Sequence, residues 1–211
     1  MHYGLLAVFL ASILLTFTLW DRVEHTHLLI WTALNCGIIA MRTLFLYRFK
    51  HTERPYQENV PRGLGFFIAW MFFQGVVFGS AGYFLFPSQS FYHQVFLAVM
   101  IWVVALGAIG TYGFALPSYF AFSLPACLPL QAKLLMQGND LHILLSIFGM
   151  LFLAGLLLFA LNMNKSFMNT LYLQLDNKDL MKGLASEVAM RMEIERKARR
   201  SAHDKSSKDS I

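Results

Sequence analysis

Six apolar stretches follow one another along this chain, separated by short polar segments. They are GLLAVFLASILLTFTLW (4–20), LLIWTALNCGIIAMRTLFLY (28–47), LGFFIAWMFFQGVVFGSAGYFLF (64–86), HQVFLAVMIWVVALGAIGTYGFAL (93–116), SYFAFSLPACLPLQAKLLM (118–136) and LHILLSIFGMLFLAGLLLFAL (141–161). Hydrocarbon about 30 Å thick is crossed by roughly 20 apolar residues in a helix. The spacing therefore predicts an all-α, polytopic membrane bundle of six transmembrane helices over residues 1–161. The fifth stretch is interrupted by Pro125, Pro129 and Lys133. Prolines are tolerated in spanning helices where neighbours cover the freed carbonyls.

After Leu161 the pattern changes to NMNKSFMNTLYLQLDNKDLMKGLASEVAMRMEIERKARRSA. Leu173, Leu180, Leu184, Val188 and Met192 fall within about 120° of arc at 100° per residue, and the other faces are polar. One helix is expected over 162–200, continuous with the sixth span. Its apolar seam is too narrow for a globular core and suits a partner helix, so a homodimeric coiled coil is expected. Gly183 costs about 1 kcal/mol relative to Ala and weakens the register there. The terminal 201–211 is polar and expected to be frayed or disordered.

Composition and charge sharpen this picture. The chain of 211 residues is 57% apolar and 14% charged, against about 25% charged in soluble domains. Its net charge of +5 is not a nucleic-acid footprint, because the basic residues segregate. With both termini cytoplasmic, the 48–63 loop carries Arg48, Lys50, Arg54 and Arg62, and the tail from Lys165 holds ten more. Arg42, near the inner end of the second span, is expected to snorkel inward. Only Arg22 and Lys133 then fall outside, as the positive-inside rule asks. Trp20, Trp31, Trp70, Tyr83, Tyr92 and Tyr119 lie near the expected interfaces. No basic n-region or cleavage site accompanies the first stretch, which reads as a retained span. Cys36 and Cys127 sit in apolar runs, so no disulfide framework or metal cluster is expected.

Candidate functional positions are few. GVVFGSAG (75–82) places Gly75 and Gly79 four apart, and GAIGTYG (107–113) places Gly107 and Gly110 beside Tyr112. Small residues at such spacing let helices approach closely in lipid. They equally suit a small apolar ligand or a dimer contact. SLPACLPL (123–130) sets Pro125 and Pro129 one turn apart, inviting a kink. His25, His27, His93 and His142 map near the outer surface without metal-ligand spacing, and no cofactor is expected. Asn35 and Gln74 are uncharged polar residues in mid-span, expected to bond across helices. No Asp or Glu lies in a span, which counts against an ion-coupled transporter. No Gly-rich phosphate loop, HExxH or nucleophile elbow is present, so no enzyme activity is expected.

The segment LYLQLDNKDLMKGLASEVAMRMEIERKARRSAHDKSS after a multi-span bundle resembles the exit from the membrane region of bacterial hybrid sensor histidine kinases. Leu173, Leu175, Asn177, Leu180 and Leu184 match that family's leucine-rich stretch. Glu193, Arg196, Ala198, Arg199, Ala202, Lys205 and Ser206 approximate the helix preceding its phosphoacceptor motif. The runs FPSQSFYHQVFLAVMIWVVALGAIGTY and SYFAFSLPACLPL also look like its membrane region, and related bundles precede diguanylate cyclase domains. The resemblance implies a sensory input module in a bacterial inner membrane, ending before the kinase core. His203 lacks the Glu-x-Arg-Thr-Pro context, so no phosphoacceptor role is carried to it. A small transporter or channel-like protein is the alternative.

Overall fold

The computed structural model describes residues 2–50, 60–113 and 115–208. Six helices follow in order: α1 (His2–Leu19), α2 (His25–Lys50), α3 (Val60–Phe84), α4 (Phe91–Tyr112), α5 (Leu116–Gln137) and α6 (Asp140–Lys208). No strand occurs among the described residues. Among the described residues five helices are long and apolar enough to cross a membrane, and α1 adds a shorter apolar run over Leu6–Leu19. This is the make-up of a multi-pass membrane protein. Most of the expected 48–63 loop, with Arg54, lies outside the described residues, as do 209–211.

Helix ends depart from the apolar stretches for local reasons. The expected fourth span runs to 116, whereas α4 stops at Tyr112. The Gly113 amide closes on Ile109 O, and Pro117 opens α5 in its first turn, the position where proline's missing N–H costs least. Gly138 ends α5 at φ 71°, a left-handed conformation that glycine adopts without the Cβ penalty. Helix continues through Lys208, past Ser201, where the polar composition suggested a frayed tail.

The chain forms two units, Met1–Asn164 and Lys165–Ile211. In the first, α3 and α5 pack closest, α4 lies against α1, α3 and α5, and α2 touches α1 and α3. Leu15, Leu19, Met71, Phe78, Leu97, Ile101, Phe122 and Leu130 are among the fully buried core. On α6 the buried positions are His142, Ser146, Gly149, Leu153, Leu156 and Ala160, one helical stripe at steps of three and four. The outward faces of α1, α2 and α6 expose large apolar side chains such as Phe17, Leu44 and Leu151, as lipid contact requires.

Two aromatic expectations are corrected. Trp31 is buried, and its Nε1 donates to Val77 O at 2.8 Å. Tyr119 is fully buried on α5. Both are core residues; Trp20, Tyr83 and Tyr92 remain exposed.

Candidate functional site

The glycines of α3 and the prolines of α5 meet. A Cβ added at Gly75 would strike Phe122 O and Pro125 Cγ, and one at Gly79 would strike Pro125 O and Ala126. At Gly82 it would stand 2.7 Å from Leu130 Cβ. Pro129 has no N–H to offer the carbonyl of Pro125, four residues earlier. That freed carbonyl faces Gly79, so the close backbone approach covers an acceptor that α5 itself leaves open. Gly75, Gly79 and Pro125 therefore build a sealed helix–helix seam. On its lipid side a shallow concavity is lined by Val76, Tyr83, Pro125 and Pro129.

Gly107 and Gly110 behave differently, although their spacing looks equivalent. Nothing lies within 4 Å of a Cβ added at either. Gly107 and Tyr112 line an apolar groove of about 330 Å³ between α1 and α4, with Leu14 and Met100 toward its other end. Gly110 is exposed outside it. The seven candidate positions thus divide between a closed seam, an open groove and a surface, rather than forming one pocket.

Polar side chains tie the helices together. Thr16 and Thr32 share a hydrogen bond of 2.6 Å between α1 and α2. Gln74 Nε2 donates to Asn35 Oδ1 at 3.4 Å, and Asn35 Nδ2 donates to Trp31 O at 3.0 Å. The cross-helix bond expected of Asn35 and Gln74 is therefore present. A second cluster was not foreseen. The Gln131 amide, oriented to satisfy both neighbours, accepts from Trp102 Nε1 and donates to Ser146 O, each at 3.2 Å. It packs over Gly149, where no side chain could fit without displacing Gln131 and Trp102.

One turn before Ser146 on α6, His142 pairs with Gln94 Oε1 at 2.7 Å, and Gln94 Nε2 donates to Pro87 O at 3.0 Å. His93 bonds Ser90, His25 stacks on Trp20, and His27 faces Glu24 at 3.5 Å. Among the described residues no three His, Cys, Asp or Glu side chains gather to hold a metal ion. Lys133 lies over the Tyr83 ring at 5.0 Å, a cation–π contact that satisfies its charge at the bundle edge. Cys36 and Cys127 are free thiols.

Compared with protein-family models, curated proteins and solved structures, the chain matches none.

Arg42 departs most from expectation. It does not snorkel; it is 4% exposed, enclosed by α3 and α4. Its Nη1 donates to Tyr112 Oη at 2.5 Å and lies 3.8 Å from Met71 Sδ. The guanidinium sits over the Tyr112 ring at 5.0 Å and the Phe67 ring at 5.6 Å. Two cation–π contacts offset part of the cost of a buried cation, about 2 kcal/mol each when desolvated. Neither contact supplies a hydrogen-bond acceptor to Nε or Nη2, and both atoms are buried without a partner. Sequence spacing gave no sign of this enclosure, because Tyr112 lies seventy residues away.

The second unit is a helix of about 66 Å over 165–208. Leu173, Leu180, Leu184, Val188 and Met192 are all exposed there. Arg191 Nη2 donates to Glu187 Oε1 at 2.9 Å near the Leu180 edge of this seam.

Proposed function

We propose that the chain is the membrane-embedded input module of a bacterial sensor histidine kinase. Six spans would place both termini in the cytoplasm, and the 165–200 helices of two copies would pair. A ligand or bilayer signal shifts packing where small residues leave freedom, around Gly107 and Tyr112. The α3–α5 seam at Gly75, Gly79 and Pro125 serves as the fixed body. α6 then passes the shift to the paired helices as a rotation, piston or register change. The same input could drive a cyclase in place of a kinase, since related bundles precede both.

The observation that carries this reading is the exposed leucine seam on a long helix after a bundle of apolar helices. A solitary helix of that kind is marginal in water, and pairing buries the seam. The transporter alternative needs a polar path through the spans. Here Thr16, Thr32, Asn35 and Gln74 bond one another instead, and the α1–α4 groove is lined almost wholly by apolar side chains. Leu180→Cys or Leu184→Cys in native membranes tests the proposal. Oxidation is expected to give a disulfide-linked dimer at seam positions and none at Lys178→Cys on the polar face; monomer at every position would refute pairing.

A further inference from the structure

Among the described residues Arg42 is the one Lys, Arg, Asp or Glu buried in the bundle. Its unpartnered atoms are Nε and Nη2. Those two N–H groups form one edge of the guanidinium, the edge whose parallel donors fit two oxygens of a phosphate or carboxylate. The third nitrogen is held by Tyr112 Oη, which accepts that bond and keeps its own hydrogen to donate. A cation fixed by two rings and one hydroxyl, with its bidentate edge unpartnered, has the donors that an anion would use.

The groove says what carries that anion. Along α4 it extends from Met100 to Tyr112, and along α1 from Leu14 to Ala7. Twelve residues of helix rise about 18 Å, close to the half-thickness of a hydrocarbon core about 30 Å deep. Its Tyr112 end is also the end of α4 and lies beside the start of α1, where a membrane face would fall. Tyr112 lines this apolar trough, about one leaflet long, and bonds a buried cation whose Nε and Nη2 have no partner. We propose that Arg42 and Tyr112 receive the phosphate of an anionic phospholipid from the leaflet on the α1 N-terminal side, with one acyl chain lying in the α1–α4 groove. Gly107 and Ala108 keep the trough open. Binding of this lipid requires neither an output domain nor a dimer, so it stands or falls apart from the sensor reading.

Native mass spectrometry of the full chain, released from micelles holding equal phosphatidylglycerol and phosphatidylcholine, tests the site. The wild type is expected to retain phosphatidylglycerol about tenfold or more over phosphatidylcholine, the selectivity of charge-assisted hydrogen bonds. Arg42→Gln is expected to bring that ratio near one, and Tyr112→Phe, which removes the hydroxyl that fixes the guanidinium and donates to the phosphate, to bring it between the two. Gly107→Leu, which fills the trough at a position with open space, is expected to cut phosphatidylglycerol occupancy severalfold with helicity unchanged. Inorganic phosphate in excess is expected to leave the bound lipid in place. Equal retention of both lipids by the wild type, or full selectivity in Arg42→Gln, overturns the proposal. So does unchanged occupancy in Gly107→Leu, or complete displacement by inorganic phosphate, which would mark a site for free anions.

Discussion

Replacing Gly79 with alanine adds one methyl group where α3 and α5 run closest. That methyl would meet Pro125 O and the backbone of Ala126, and backbone cannot rotate away as a side chain can. Overpacking of this kind costs about 1–3 kcal/mol, against about 1 kcal/mol of helix propensity gained on leaving glycine. The net is a loss of about 0–2 kcal/mol, and the upper half is expected because the methyl meets backbone of two residues, Pro125 and Ala126. The same change at Gly107 meets nothing within 4 Å, leaving only the propensity gain of up to about 1 kcal/mol. The two substitutions are chemically identical, so their difference isolates packing. Unfolding by SDS titration in mixed micelles, followed by far-UV circular dichroism, should show Gly79→Ala unfolding earlier than wild type and Gly107→Ala at the same point or later. Equal shifts in one direction, or a Gly79→Ala protein as stable as wild type, would refute the assignment of the α3–α5 seam.

Asn35→Ala removes the acceptor of Gln74 Nε2 and should lower stability by about 0.6–2 kcal/mol in the same titration, the range for cross-helix bonds in lipid. Thr43→Ala, whose hydroxyl bonds only Ile39 O of its own exposed turn, should change nothing measurable. In the second unit Leu184→Glu places a charge on the seam and should abolish disulfide formation at Leu180→Cys. Unaltered crosslinking in that background would show that the seam does not carry the pairing.

Helix positions were largely legible because each span must be apolar for its whole length, and length is fixed by the bilayer. Their ends were less so. Apolar composition runs unbroken from α4 through Gly113 to Leu116, and only the Gly113 cap and Pro117 mark the turn. The glycine and proline motifs announced close packing, yet their partners could not be read from spacing. Gly79 meets Pro125 because two distant helices align, whereas Gly107, in an equally small-residue stretch, faces open space. Arg42 was misplaced for a related reason. Snorkelling assumes lipid around the side chain, but Phe67 and Tyr112 from α3 and α4 enclose it. The Gln131–Trp102–Ser146 cluster was missed altogether. Its traces in the sequence are Gln131 and Ser146, polar residues in apolar runs, and Gly149, which makes room for them.

The side on which the leucine-seamed helix emerges decides most about the proposed function. Paired fusions after Met192, one to a reporter that fluoresces only in the cytosol and one to a phosphatase active only beyond the membrane, measure it directly in growing bacteria. A helix that hands a signal to an intracellular kinase or cyclase gives fluorescence and no phosphatase activity. Phosphatase activity without fluorescence would put the helix on the wrong side and contradict the signalling account.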